Sequence, residues 1–470
     1  MISQREEKTK HNILKSRDDN EPVIFEPTER GKFTLKSGTQ CSWLQTDEEF
    51  GPEKLRPRVE PWLTALFQSE HLALLVGSGL THAVHNAATG ERLHGMEKID
   101  LSVFETALDE AAASTAQAAG RDSSNIEDQI RVANELLRGL EHLCLQPVRG
   151  VKKMKRETAA LRNDIERALT DFASSILEGE RSVAIAPQHL KEQAFGYLVN
   201  FLVSFSGRSG TRDRLHIFTT NYDRLIEAGA EVAGLHLVDR FVGSLAPVFR
   251  STRLSIDLHY NPPGIRGEPR YLEGVSRFTK LHGSVDWIYV GRKIRRIGLP
   301  FGAESIAPYL HAPELRGATS ANLMIYPNSA KDRETASYPY VDLFRDFAAA
   351  ICRPNSTLVT FGYSFGDEHI NRVIEDMLTI PSTHLVVISF DDPMGRIMRT
   401  YREMARPAQV TLLIGNHIGS LDNLVTHYLP KSAIDRTTFR MAELLRSRFS
   451  NDDQGDSKTG ESVGGERNDP

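Results

Sequence analysis

The chain has 470 residues, 40% of them hydrophobic and 25% charged, with a formal net charge of -5 and a pI near 6.4. That length holds a full catalytic domain with a sizeable insertion, and the acidic balance excludes a global nucleic-acid footprint. No apolar run approaches the ~20 residues that span a bilayer, and MISQREEKTKHN lacks the apolar centre of a signal peptide, so a soluble, cytoplasmic protein with no membrane partner is expected.

Residues 1 to about 57 are polar, punctuated by Glu26-Pro27, Gly31, Gly38 and Gly51-Pro52. They read as an N-terminal arm, with one short hairpin between Lys32 and Trp43. A catalytic domain is expected over 58–430. Its strand candidates are short apolar runs of the buried parallel type: Leu72 to Val76, Leu215 to Thr219, Leu323 to Tyr326, Thr357 to Phe361, His384 to Ser389 and Val410 to Ile414. Helical patterns occur at Pro61 to Phe67, Arg224 to Val232, Tyr340 to Ile351, Glu368 to Leu378 and Met394 to Met404. Strand alternating with helix predicts an α/β fold with a Rossmann-like parallel sheet.

Between about 100 and 205 the pattern changes, with apolar residues at helical spacing (Ile126, Ile130, Leu137, Leu140, then Leu161, Ile165, Leu169, Phe172, Ile176) and no strand. This predicts a large helical insertion, with Ser124 as a candidate helix cap. A second insertion, about Gly291 to Ala321, reads as loops near the active face. The basic clusters Lys152 to Arg156 and Arg292 to Arg296 read as solvated faces or phosphate contacts. A C-terminal helix is expected over 431–450. From 451 to 470 the chain is almost free of apolar residues and reads as a disordered tail.

Four patches stand just where strands should end: Gly77-Ser78-Gly79-Leu80-Thr81, Thr219-Thr220-Asn221-Tyr222-Asp223, Lys280-Leu281-His282-Gly283-Ser284, and Gly362-Tyr363-Ser364-Phe365-Gly366-Asp367-Glu368-His369. Ligands of open α/β sheets bind beyond the carboxyl ends of the strands, so these are four walls of one expected site. The first reads equally as a pyrophosphate loop or a tight turn, because His82 stands where a third glycine would fall. Asn221 offers a donor and an acceptor to a ribose hydroxyl or water, and Asn221 or Asp223 also reads as a helix cap. His282 is a candidate general base or a satisfied structural histidine. Ser364, Asp367 and Asn371 suit phosphate or ribose contacts, and Asp367 also suits a cap. The cysteines Cys41, Cys144 and Cys352 are isolated, with no CxxC pair, and His82 and His85 read as surface residues, so no metal is expected.

In this order the motifs GSGLT, TTNYD, KLHGS and GYSFGDEH resemble the sirtuin-like superfamily, over roughly residues 70 to 390. The resemblance implies a Rossmann-like sheet binding NAD and cleavage of the nicotinamide–ribose bond. It implies that Gly77, Ser78, Gly79 and Thr81 form the pyrophosphate loop. Thr220, Asn221 and Asp223 would then lie around the nicotinamide ribose and amide, and His282 would be the catalytic histidine. Gly362, Ser364 and Asp367 would belong to the turn at the adenosine half. Thr220 stands in place of the family's usual glutamine and Ser78 in place of its alanine. The four paired cysteines of the deacylating members' zinc ribbon are missing, since Cys352 alone follows His282. The resemblance is therefore to zinc-free bacterial NAD hydrolases of the anti-phage type. It implies control by a homo-oligomer or a separate partner such as a HerA-like ATPase, with no appended sensor domain expected after about residue 430. The other readings are a non-catalytic NAD or ADP-ribose binding subunit, and a deacylase or ADP-ribosyltransferase. A dehydrogenase is disfavoured by the lack of a convincing acidic residue about 20 positions after the glycine loop.

Overall fold

The computed structural model describes residues 11–16, 19–45, 47–93, 98–118, 123–147, 150–208, 212–252, 256–260, 270–319, 322–325, 338–404 and 406–431. Within them one ten-stranded sheet runs in the spatial order Phe33–Leu35, Val23–Pro27, Asn12–Lys15, Val410–Ile414, His384–Ser389, Ser356–Phe361, His71–Val76, His216–Thr219, Val275–Lys280 and His236–Val238. The seven strands from Val410–Ile414 onward are mutually parallel. Strand direction and intervening helices give the Rossmann-like α/β sheet that the sequence predicts.

Each central strand feeds both faces of the sheet. Leu72, Leu74 and Val76 pack on one face with Leu55, Leu63, Val84, Leu198 and Ile226 from the covering helices. Ala73 and Leu75 join the other face with Phe347, Ile370 and Ile397. This two-sided burial is why the strands read as continuous apolar runs without alternation. The helix Pro52–Phe67 begins earlier than expected and continues through Pro57 and Pro61, burying Leu55, Val59, Leu63 and Phe67 at four-residue spacing.

Part of the segment read as an N-terminal arm is sheet. Asn12–Lys15 pairs antiparallel with Val410–Ile414, with Ile13 opposite Ile414, and Val23–Pro27 and Phe33–Leu35 extend the edge. The hairpin is therefore centred earlier than Lys32 to Trp43. Asn12 secures the edge by accepting from the His417 and Ile418 amides at 3.0 and 3.2 Å. Lys15 is buried and donates to the Pro407 and Val410 carbonyls at 2.6 and 3.1 Å. Asn12–Lys15 has only Ile13 and Leu14 as apolar residues, too few to announce it locally.

The helical insertion comprises Glu105–Ala118, Ile126–Cys144, Val151–Ile185 and Gln188–Ser206. Asn125, rather than Ser124, caps Ile126–Cys144, through a reciprocal capping box with Asp128. The first three of these helices share a core that includes Leu108, Ile130, Leu161 and Phe172, and this core takes in Tyr222, Val285, Ile288 and Leu323.

Leu323–Ile325 is a strand, but not of the main sheet: it pairs antiparallel with Gly283–Val290 in a separate five-stranded sheet. Its apolar run satisfies either pairing, so local sequence cannot assign the sheet. The second insertion is only partly loop, since Lys293–Arg296 is also a strand of that sheet and two 3-10 turns follow. Lys152, Lys153, Lys155 and Arg156 are exposed. Arg296 is instead drawn inward, 2.7 Å from Asp239 and 3.6 Å from Asp286. Among the described residues no helix is long and apolar enough to cross a membrane. Residues 432–470, which hold the expected C-terminal helix and tail, lie outside the described residues.

Candidate active site

The sheet order reverses at His71–Val76: the chain proceeds to His216–Thr219 and Val275–Lys280 on one side and returns to Ser356–Phe361 on the other. Such a switch point opens a crevice at the carboxyl ends of the strands. The four patches follow four adjacent strands and are gathered there.

Gly77, Gly79 and Gly362 form the switch point itself. A Cβ on Gly77 would collide with the Gly362 carbonyl, and one on Gly79 would lie 2.5 Å from the Gly362 Cα. Gly362 has φ +60, where a side chain is strained in any case. The Gly77 amide donates to Phe361 O at 2.9 Å, and the Gly79 amide to Gly362 O at 3.1 Å. These glycines thus allow two loop backbones to touch, and the Gly79 amide is engaged by protein. Ser78 is exposed at the first position of the helix Ser78–Thr89, and Ser364 is exposed on the facing turn. Together they leave hydroxyls and a helix start on the crevice rim, chemistry that fits a substrate diphosphate.

The next strand carries the amide wall. Asn221 is 8% exposed, and its Nδ2 donates to Gly77 O at 2.9 Å and to Thr81 Oγ1 at 3.0 Å. With both amide protons engaged, the atom that Asn221 can offer to a ribose or water is Oδ1. Thr81 donates in turn to Asp223 Oδ2 at 2.6 Å, and Asp223 Oδ1 accepts from the Leu225 amide at 3.0 Å. Asp223 therefore both turns the chain into the following helix and locks Thr81. The Thr220 amide donates to Val76 O at 3.1 Å, joining the first two strand tips.

His282 completes the third wall. The Leu281 amide donates to Thr219 O at 2.8 Å, which sets the position of the histidine beside the Asn221 loop. Gly283 follows with φ +92, where any Cβ would strike the Met324 carbonyl as the chain turns from the main sheet into the small one. The His282 side chain is 17% exposed and its Nε2 lies 2.9 Å from Asp367 Oδ2. Asp367 Oδ1 accepts from the His369 amide at 3.0 Å, capping the helix Glu368–Leu378.

Sequence reading assigned no role to four residues that hold these walls. Tyr222 is buried between Asn221 and Asp223, its ring edge-on to Phe172 of the insertion and 6.4 Å from the His282 ring. Burial, and then the neighbouring Glu127 carboxylate, hold its phenol well above the usual range, so it stays protonated. Arg224 and Glu180 form a buried pair in which Glu180 Oε1 accepts from the Arg224 amide at 2.8 Å and from Nε at 3.2 Å. Burial pushes the Glu180 carboxyl up against the opposing pull of Arg224. Lys280, 1% exposed, donates to Asp223 O and lies 3.0 Å from Glu227 Oε1. Polar residues within the quoted motifs, Arg224 beside TTNYD and Lys280 in KLHGS, were the available signal. Glu180, the partner of Arg224 and 44 residues away from it, had none.

Residues 215–406 match the family model of the SIR2-like domain. The matched region spans less than half the chain but contains Asn221, His282 and the Gly362 turn, while the Gly77 loop lies outside it. It supports a sirtuin-like family, and SIR2-like domains are in general NAD-dependent enzymes. No curated protein matches the chain significantly. Among the described residues no group of three or more His, Cys, Asp or Glu side chains is gathered to hold a metal ion. The chain between His282 and the late strands contributes Gly283–Val290, Lys293–Arg296 and Leu323–Ile325 to the small antiparallel sheet, whose other two strands, Phe241–Val242 and Val248–Phe249, precede His282.

Proposed function

We propose that the protein is an NAD glycohydrolase that converts NAD and water to nicotinamide, ADP-ribose and a proton. The observation that carries this reading is the placement of Asn221 and His282 on adjacent strand tips of a SIR2-like domain, next to the glycine-lined switch point.

In the reaction the bond between ribose C1′ and the pyridinium nitrogen breaks, and its electron pair neutralises the ring, which departs as nicotinamide. The water oxygen forms the new bond to C1′ and its proton passes by way of His282 to solvent. Asn221 Oδ1 orients the water or a ribose hydroxyl, and His282 takes up the proton. Thr81 and Asp223 hold the Asn221 amide in one orientation. Ser78, Thr220, Gly362 and Ser364 line the substrate along the crevice. Because the leaving group is already cationic, holding the reactants and stabilising positive charge at C1′ is most of the task. The motif departures from deacylating sirtuins favour water as the acceptor over an acyl-lysine.

Unrestrained loss of NAD harms the cell that makes the enzyme, so the reading includes control, in cytoplasmic anti-phage defence, by homo-oligomerisation or by a partner such as a HerA-like ATPase. The insertion supports this part, because it reaches the catalytic loop through Phe172 on Tyr222 and Glu180 on Arg224. The test is nicotinamide release from NAD by the purified chain, alone and with the product of its neighbouring gene. Release is expected in the activated state. Saturable NAD binding without turnover in every assembly state, release only with an acyl or ADP-ribose acceptor, or undiminished release by both Asn221→Ala and His282→Ala would overturn the reading.

A further inference from the structure

We infer that Asp367 is a positioning residue for His282, fixing which ring nitrogen carries the proton. This deepens the NAD-cleaving reading above and rests on it for its kinetic consequences. The two residues are 85 positions apart in sequence, yet His282 Nε2 and Asp367 Oδ2 lie 2.9 Å apart, with side chains 17% and 6% exposed.

Asp367 is held independently of the histidine. Its Oδ1 accepts from the His369 amide at 3.0 Å and from the Ile370 amide at 3.4 Å, at the start of an eleven-residue helix. Its backbone carbonyl accepts from the buried Tyr363 hydroxyl at 3.2 Å, and that hydroxyl is also 2.9 Å from Asn371 Oδ1. Asn371 Nδ2 donates to Phe365 O at 3.0 Å, so the turn that carries Asp367 is tied at both ends. Helix amides on one carboxylate oxygen favour the ionised acid, which leaves the other oxygen a pure acceptor.

An acceptor at Oδ2 requires a donor at His282 Nε2. The neutral ring is then the Nε2-protonated tautomer, and Nδ1 carries the lone pair. As Nδ1 takes a proton from water or a ribose hydroxyl, the ring becomes a cation next to the carboxylate that steadies it; Asp367 stays ionised and exchanges no proton. The cap and the histidine contact use different oxygens of one side chain. Asp367 therefore joins the last helix of the site to the base on the far strand.

Two substitutions separate the roles. Asn and Ser both cap helices, so Asp367→Asn and Asp367→Ser keep the helix start. Asn keeps its oxygen on the cap and turns its amide donor toward Nε2, which forces the other tautomer; Ser is too short to reach the ring. For nicotinamide release, kcat is expected to fall about 10²- to 10⁴-fold in Asp367→Asn, with KM changed less than about twofold. Asp367→Ser should also lose kcat. A rise in KM with kcat retained would overturn the inference and return Asp367 to the adenosine half of the substrate.

Nitrogen-15 NMR of histidine-labelled protein, with the His282 signals identified by their loss in His282→Ala, gives a readout independent of turnover. Wild type should show the Nε2-protonated tautomer and Asp367→Asn the Nδ1-protonated one. The same tautomer in both would overturn the inference whatever the enzyme does with NAD. A switch of tautomer in a protein that releases no nicotinamide would support the pairing and overturn the NAD-cleaving reading alone.

Discussion

Histidines at the two ends of the same parallel sheet have opposite fates. His216 and His384 open their strands at the amino-terminal end, where each meets a threonine hydroxyl, Thr279 at 2.9 Å and Thr411 at 2.8 Å. Burial holds His216 well below the ordinary imidazole range and His384 down to about 4, so both are neutral packing groups. His282 stands at the carboxyl-terminal end, half-buried, with a carboxylate as its partner. A hydroxyl satisfies a neutral ring; a carboxylate is an acceptor that fixes a donor on the ring nitrogen facing it. The residue type is the same, and the end of the strand decides its work.

The sharpest break in this comparison is to remove each kind of histidine. His282→Ala should lower nicotinamide release about 10²- to 10⁴-fold with little change in the denaturation midpoint. His216→Ala should do the reverse, costing about 3 kcal/mol in denaturant unfolding while the folded fraction keeps its turnover, because its ring stacks on Phe218 at 3.8 Å. A catalytic loss from His216→Ala equal to that of His282→Ala would erase the distinction.

Near the active end, Glu180→Ala leaves the Arg224 guanidinium buried without its carboxylate, and about 3 to 5 kcal/mol of stability should be lost. Glu180→Gln keeps an acceptor for the Arg224 amide and should lose less in the same unfolding measurement.

A pH titration of stability examines the amino-terminal end. Because the folded His384 titrates near 4 and an unfolded one near 6.5, only the unfolded state takes up this proton between those values. Its contribution is complete above pH 6.5 and is lost as the pH falls toward about 4. His384→Gln should flatten the melting temperature across that window, and an unchanged slope would count against a neutral buried ring. The smallest effect is expected from Thr81→Val, which removes the hydroxyl between Asn221 and Asp223. About 1 kcal/mol of stability should go, with a fall in nicotinamide release larger than any change in KM.

Legibility in the sequence followed the range of the interaction. Strand runs such as Ser356–Phe361 and His384–Ser389 were visible because burial on both faces writes an apolar run into adjacent positions. Glu368–Leu378 was visible because Asp367 caps it locally. The edge strands Asn12–Lys15 and Val23–Pro27 were not, since Asn12–Lys15 is held by pairing with a strand some 400 residues away and Val23–Pro27 joins the sheet only through it. Leu323–Ile325 had the right local pattern for a strand and the wrong sheet.

By itself, then, the sequence determined an alternating α/β chain with an inserted helical region, and it marked Asn221, His282 and the glycine loops as strand-end residues. Each of those properties is local, set by burial period, turn chemistry and capping. Only the tertiary structure decided that Gly77, Gly79 and Gly362 lie backbone to backbone, that Glu180 reaches Arg224, and that Asp367 meets His282. Those are contacts between distant segments, brought together by strand order, and no local pattern of residues specifies which distant partner a buried polar group will find.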